Sequence, residues 1–365
     1  MEDEYVSMAK GLEVALRIPL GAPLPELAAL AAEAEAAGLD GVGVPDHHHT
    51  GRDAYLALAA MAGRTSRIRL FPATSNVVTR HPLVLAGLTN SLDELAPGRA
   101  ELTVAPGFLS VEKAGERPAV REVLAETVTT LRGLLHEGRA HHDGHDLELY
   151  HHPEPRPGLV SVLASGPRLL ELAGAVADGV LMLVGLHPDG VAAARKHVRV
   201  GAAQAGRPDP YGPDSDFVET LIVPIGLGTP EQVRHWPRSW FRKGQPWLHY
   251  PSRSNVWWLR AAGVDIPAIG APMPSDSGDG TDAGVDPADL PDALVDEILD
   301  AYGLFGTPQQ CADRLVRAHE ELGIRRVFLF PAHAWTGSYD LPRDIVDAWG
   351  TTIGPALASV LHTDR

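Results

Sequence analysis

The sequence predicts a (β/α)8 TIM barrel with a large insertion between strands seven and eight. Three observations carry this: short apolar runs alternate with helical patterns, eight such runs can be counted, and most are continuously apolar rather than alternating. Continuous apolar runs are what parallel strands need when helices cover one face and a barrel interior the other. In order, "LEVALRI" from Leu12 to Ile18 is the first strand and "LPELAALAAEAEAAG" from Leu24 to Gly38 the first helix. "DGVGVP" from Asp40 to Pro45, the helical "DAYLALAAMAGRT" from Asp53 to Thr65 and the strand "IRLFPA" from Ile68 to Ala73 continue the series. The remaining strands are "AELTVA" at Ala100, "LVSVLA" at Leu159, "GVLMLV" at Gly179, "DFVETLIVPI" at Asp216 and "RRVFLFP" at Arg326. Gly38, Gly174 and Gly323 stand near the ends of helical patterns, where a left-handed cap residue is favoured.

The spacing predicts one domain over 1–365, interrupted by an insertion over 226–292. That stretch has a Trp-rich part between Trp236 and Trp258 and a Pro/Gly/Ser/Asp-rich loop from Ile266 to Gly284 with the composition of a flexible segment. The tryptophans suit a substrate lid, a subunit contact or an ordinary packed subdomain. Arg234, Arg238, Arg242 and Lys243 form a basic stripe that suits either a solvated helix face or a site for an anionic tail. Beyond it, Thr307-Pro308-Gln309-Gln310 has the makings of a capped helix start, and Cys311 falls on an amphipathic pattern, as a buried thiol would.

A formal net charge of −16 argues against nucleic acid as a partner, since phosphate neutralisation needs a clustered cationic surface. There is no apolar run of membrane-spanning length, and Met1-Glu2-Asp3-Glu4 is no secretory start, so a cytoplasmic protein without a membrane partner is expected. A small molecule is the expected ligand. The helix from Leu83 to Leu95 could pair two copies in a homodimer or cover the barrel.

Barrel chemistry sits at the carboxyl ends of the strands, and polar residues cluster there. Strand two ends in Asp46-His47-His48-His49, strand three in Thr74-Ser75-Asn76 followed by Arg80, strand five in Ser165-Gly166-Pro167-Arg168 and strand six in Gly185. A strand that finishes in hydrogen-bonding groups is reaching a cavity. Three adjacent histidines on a loop point different ways, so no metal is expected there; "HHDGHDLELYHH", from His141 to His152, lies before strand five and reads as a solvated connector.

The stretches "GLDGVGVPDHH", "TSRIRLFPATSNVVTRHPLVLAGLTNSLDELAPGRAEL", "VLASGPRLLELAGAVADGVLML" and "FGTPQQCADRLVRAHEELGI" resemble the bacterial luciferase-like family of flavin and deazaflavin oxidoreductases. The subgroup most similar is that of methylenetetrahydromethanopterin reductase, which uses the deazaflavin coenzyme F420. The resemblance implies a redox ring laid against the carboxyl-end mouth, with a non-prolyl cis peptide at Ala73–Thr74 beside it. It places Asp46 and His47 next to the ring and Asn76 and Arg80 near the coenzyme's polar edge or tail. Ser165, Gly166 and Gly185 would offer backbone N–H groups to the phosphate-bearing side chain, with Arg168 as countercharge; a glycine turn opening a helix suits an anion. Two departures bear on substrate. Arg17 stands where the related reductases have a glutamate, and Ala105-Pro106-Gly107-Phe108 replaces a turn that usually has a charged residue nearby, so Arg17 and Phe108 are the substrate-side candidates.

The expected function is hydride transfer between F420 and a small organic substrate. His47 would move the proton, its imidazole suiting transfers near neutrality, while Asp46 orients it or contacts the ring. Two other readings keep the fold: an FMN-dependent luciferase-like monooxygenase, and a non-catalytic barrel that serves as a binding protein.

Overall fold

The structure, a computed structural model, describes residues 11–151, 159–240, 258, 260–261, 263–264, 290–332 and 339–361. The first half runs β1 (Glu13–Arg17), α1 (Leu24–Ala36), β2 (Gly41–Val44), α2 (Ala54–Ala62), β3 (Arg69–Pro72), β4 (Ser75–Asn76), α3 (Pro82–Leu95), β5 (Leu102–Ala105), α4 (Leu109–Lys113) and α5 (Arg121–Glu137). A hairpin of β6 (Arg139–His142) and β7 (His145–Glu148) follows, then β8 (Val160–Ala164), α6 (Pro167–Val176), β9 (Gly179–Met182), α7 (Pro188–Gln204) and β10 (Val218–Leu227). The last part comprises α8 (Pro230–Trp240), α9 (Asp292–Tyr302), β11 (Leu304–Gly306), α10 (Pro308–Leu322), β12 (Arg326–Pro331), α11 (Arg343–Ala348) and, after a π turn, α12 (Gly354–Leu361).

All eight sequence-predicted strands are present and pair in parallel, in the order β3, β2, β1, β12, β10, β9, β8, β5, β4. The ring closes because β3 hands over to β4 through Ala73 and Thr74, whose peptide is cis, and β4 then pairs with β5 at Ser75↔Val104 and Asn76↔Ala105. Leu70 also bridges Ala100. This is the parallel barrel that the alternation of apolar runs and helices predicts.

The inside is stratified. At the amino-terminal end, Arg326 bonds Glu13 at 2.9 Å and Glu101 at 2.6 Å, while Arg69 reaches the same two carboxylates at 3.1 and 3.3 Å, closing a four-membered ion-pair ring. Burial alone would raise the Glu101 carboxyl, but the two guanidinium groups hold it below the usual range. Above the ring, Ala15, Phe71, Leu181, Ile222 and Phe328 fill the centre. The second strand contributes no side chain there: a Cβ on Gly43 would lie 2.6 Å from the Phe328 ring and 2.8 Å from that of Phe71. Val42 and Val44 of the same strand point outward into the larger core between strands and helices.

Local expectations divide. Thr307 and Gln310 form a full reciprocal capping box with Pro308 in the first turn, and Cys311 is buried with its thiol pushed up to about 12 by burial. Gly38 and Gly323 cap their helices in the left-handed region. Gly174 does not: it lies inside α6, where a Cβ would sit 2.0 Å from the Val198 carbonyl oxygen of α7, so it permits a close helix crossing. The segment read as a solvated connector, from His141 on, folds as the β6–β7 hairpin, turning at Asp143 and Gly144 with mostly exposed side chains. Most of 226–292 lies outside the described residues, including Arg242, Lys243 and four of its five tryptophan side chains. Arg234 is paired, bonding Asp296 at 2.6 Å and Asp292 at 3.2 Å on α9, so this member of the basic stripe is no free anion site. Helix α3 turns Leu85, Ala86, Thr89 and Leu92 inward and leaves Val84 and Leu95 exposed. No helix among the described residues is long and apolar enough to cross a membrane.

Candidate active site

The polar finish of the third strand builds a network that fixes one wall of the mouth. Asp46, just past β2, is 1% exposed, and Arg80 grips it with two hydrogen bonds, Nε to Oδ2 at 3.0 Å and Nη2 to Oδ1 at 3.1 Å. Such bidentate geometry orients both groups as well as pairing their charges. Arg80 Nη2 also reaches Asp53 Oδ2 at 2.6 Å, while Asp53 Oδ1 caps α2 by accepting from the Tyr55 and Leu56 backbone N–H groups. Burial opposes ionisation of Asp53, yet the Arg80 hydrogen bond and the cap hold its carboxyl below the usual range. Ser75 Oγ donates to Asp46 at 3.3 Å and is itself 2.9 Å from the Tyr55 hydroxyl. Asn76 Oδ1 accepts from the backbone of Val78 and Thr79 and from the Thr79 hydroxyl. Ser75 and Asn76 therefore bond to neighbouring groups of the wall, Ser75 to Asp46 and Tyr55 and Asn76 to Val78 and Thr79.

The three histidines separate, as adjacent loop residues should. His48 turns back to this network, with Nδ1 3.2 Å from Asp46 and Nε2 2.8 Å from the Thr79 hydroxyl. His47 and His49 turn the other way and share one partner that the sequence analysis missed: the Tyr339 hydroxyl lies 3.2 Å from His47 Nδ1 and 2.9 Å from His49 Nε2. Tyr339 follows the last barrel strand, so its position in the eighth carboxyl-end loop was the available signal. Its backbone is seated on Gly21 in the first such loop, where a Cβ would fall 1.7 Å from the Tyr339 carbonyl oxygen.

At the end of β1, Arg17 is 5% exposed with its guanidinium 4.6 Å from the centre of the Phe330 ring, and its Nη1 has no hydrogen-bond partner. Burial pulls its pKa down to about 10, which leaves it cationic at neutrality. Burial, then the Arg17 charge and the neighbouring histidines, push His47 down to about 3. This corrects the expectation that His47 titrates near neutrality: it is a neutral imidazole across the physiological range. The expectation that Asp46 orients His47 also changes, because the Asp46 carboxylate is turned to Arg80, Ser75 and His48.

Ala73, Leu163, Leu183 and Phe330 are partly buried apolar groups packed on the interior cluster. Phe108 is 43% exposed at the start of α4, which lies against the turn His48–Thr50. The α6 end is less as expected. Gly166 does precede the first turn of α6, but the Ser165 carbonyl accepts the Trp258 indole N–H at 2.6 Å, and Arg168 is exposed in the outer groove between α5, α6 and α7. Gly185 has φ +81° and is pressed on the end of α9, where the Leu186 N–H donates to the Ala301 carbonyl at 2.8 Å. Among the described residues no group of three or more His, Cys, Asp or Glu side chains could hold a metal ion.

Fold and geometry together define a TIM-barrel protein whose carboxyl-end mouth has an apolar floor, a polar wall and, among the described residues, a buried arginine. The chain belongs to the luciferase-like monooxygenase family, whose model matches residues 9–326. It is 29% identical over 300 residues to 5,10-methylenetetrahydromethanopterin reductase of Methanolobus tindarius, covering 80% of this chain and 86% of that protein. It is 33% identical over 178 residues to F420-dependent glucose-6-phosphate dehydrogenase of Kineococcus radiotolerans, covering 44% of this chain and 52% of that one. The coenzyme F420-dependent tetrahydromethanopterin reductase of Methanopyrus kandleri has the same fold, with a TM-score of 0.67 at 18% identity over 95% of this chain and 99% of that one.

Proposed function

We propose that this protein is an oxidoreductase that moves a hydride between coenzyme F420 and a small organic substrate. The observation that carries the reading is the apolar floor of Ala73, Leu163, Leu183 and Phe330 at the barrel end where functional groups collect. Its partly buried apolar surface beside the unpaired Arg17 donor suits a flat heteroaromatic ring with acceptor atoms on one edge. The relatives named for F420 support that choice. When bound, a deazaflavin supplies two-electron hydride chemistry at a carbon centre. Ala73 and Thr74 would back the ring and Gly166 would offer its helix start to the anionic tail, while Arg80 and Asn76 act indirectly by fixing the wall. The stretch 226–292 is taken as an insertion in the chain between strands seven and eight.

The proton route belongs to this chain. A phenol has one proton, so the Tyr339 hydroxyl donates to one histidine and accepts from the other. His49 is exposed and His47 is part-buried, so His49, Tyr339 and His47 form a relay from solvent to His47 Nε2. A neutral His47 accepts at one nitrogen as it releases at the other, which fits its low pKa.

Titration of the purified protein with F420 and with FMN, followed by absorbance and fluorescence quenching, tests the reading. Saturable F420 binding with at most weak FMN binding is expected. Tight FMN binding without affinity for F420 would instead establish the monooxygenase reading, and failure to bind either would leave a binding protein.

A further inference from the structure

We propose that Arg17 is the receptor for a carboxylate of the substrate, so that the mouth selects small monoanionic organic acids. The inference rests on the oxidoreductase reading only in calling the bound molecule a substrate. It begins from an unusual combination: a guanidinium 5% exposed, without a salt bridge among the described residues, and with Nη1 lacking any hydrogen-bond partner. The Phe330 ring does not fill that need. It meets the guanidinium face at 4.6 Å, whereas the five N–H donors radiate in the guanidinium plane. Neither of the titratable neighbours supplies an anion: His47 is neutral, and burial raises the Tyr339 phenol above its ordinary range despite the Arg17 charge. Among the described residues no acceptor is offered to it, and a ligand is assigned that role.

Charge and shape select the class. One buried cation beside an apolar floor is cancelled by one negative charge; a phosphate dianion would leave an excess charge among Ala73, Leu183 and Phe330. A neutral carbonyl oxygen would satisfy Nη1 yet leave the guanidinium charge uncompensated. A carboxylate does both, and its two oxygens match the fork of an arginine. Held there, the acid would lie beside His47, whose position next to Arg17 is what couples their charges.

The test compares the wild-type protein with Arg17→Met, without coenzyme, using benzoate, benzamide and phenyl phosphate in thermal-shift and calorimetric titrations, and separately titrates both proteins with F420. Benzoate is expected to stabilise and bind the wild type by about tenfold more than either analogue, and to lose that advantage in the variant. Free of ligand, the variant is expected to melt about 2 °C or more above the wild type, because an uncompensated buried charge has been removed. The proposal is overturned if the ligand-free variant melts lower, which means the charge serves the fold, or if benzoate binds both proteins alike. It is also overturned if only F420 affinity falls in the variant, which gives the cation to the coenzyme. If neither protein binds F420 but the benzoate and melting results are as expected, the coenzyme reading fails and the carboxylate site stands.

Discussion

Replacing His47 by Gln tests the electrostatics of the mouth through stability. In the folded protein the imidazole is held near pKa 3, by burial first and the Arg17 charge second, against an ordinary 6.5. The unfolded chain therefore takes up a proton as pH falls below 6.5 while the folded protein does not. The depressed pKa of a base stabilises the unfolded state at acid pH, so stability drops from pH 6.5 down towards pH 3 and levels off below. Each pH unit in that window is worth roughly 1.4 kcal/mol, so His47 alone should remove about 2 kcal/mol between pH 7 and pH 5. Urea unfolding of wild type and His47→Gln at both pH values isolates the effect, because the other titrating groups are common to both proteins. The wild type should lose about 2 kcal/mol more than the variant over this step. Equal losses, within about 0.5 kcal/mol, would mean that His47 titrates normally when folded, and the account of a neutral relay would be wrong.

Asp46→Asn leaves the Arg80 guanidinium without its nearly fully buried partner and should cost about 3 kcal/mol in denaturant unfolding. Gly43→Ala drives a methyl into the Phe328 and Phe71 rings and should destabilise by roughly 1–3 kcal/mol in the same measurement. Tyr339→Phe removes the hydroxyl between two imidazoles; turnover with F420 should fall by about 10²-fold with F420 affinity kept, and the solvent isotope effect should grow as proton delivery becomes limiting. Gly21→Ala pushes the Tyr339 backbone away and should reproduce much of that loss of turnover, with a lower melting temperature that Tyr339→Phe does not share.

Much of the architecture was legible because it follows from local pattern. Eight apolar runs at regular spacing, the Thr307 capping box and the polar cluster at the strand ends are short-range properties, and the Ala73–Thr74 cis peptide stands where the family resemblance placed it. What went astray depended on partners remote in the chain. Gly174 looked like a cap because its neighbour in space, the Val198 carbonyl, is in another helix. The sequence records the position of Arg168 on α6 but not that it lines an outer groove between helices.

The same division holds for the site. From the sequence came the barrel, the end of it that carries chemistry and, through the family resemblance, Arg17, His47 and Asp46 as residues to watch. Only the folded chain decided their roles: Asp46 was drawn to Arg80, thirty-four residues away, and His47 to Tyr339, at a separation of 292. Protonation and pairing depend on what each group meets through space. Burial beside Arg17 is therefore what turns an ordinary histidine into a neutral one, and a barrel closing on itself is what leaves that arginine's Nη1 without a hydrogen-bond partner among the described residues.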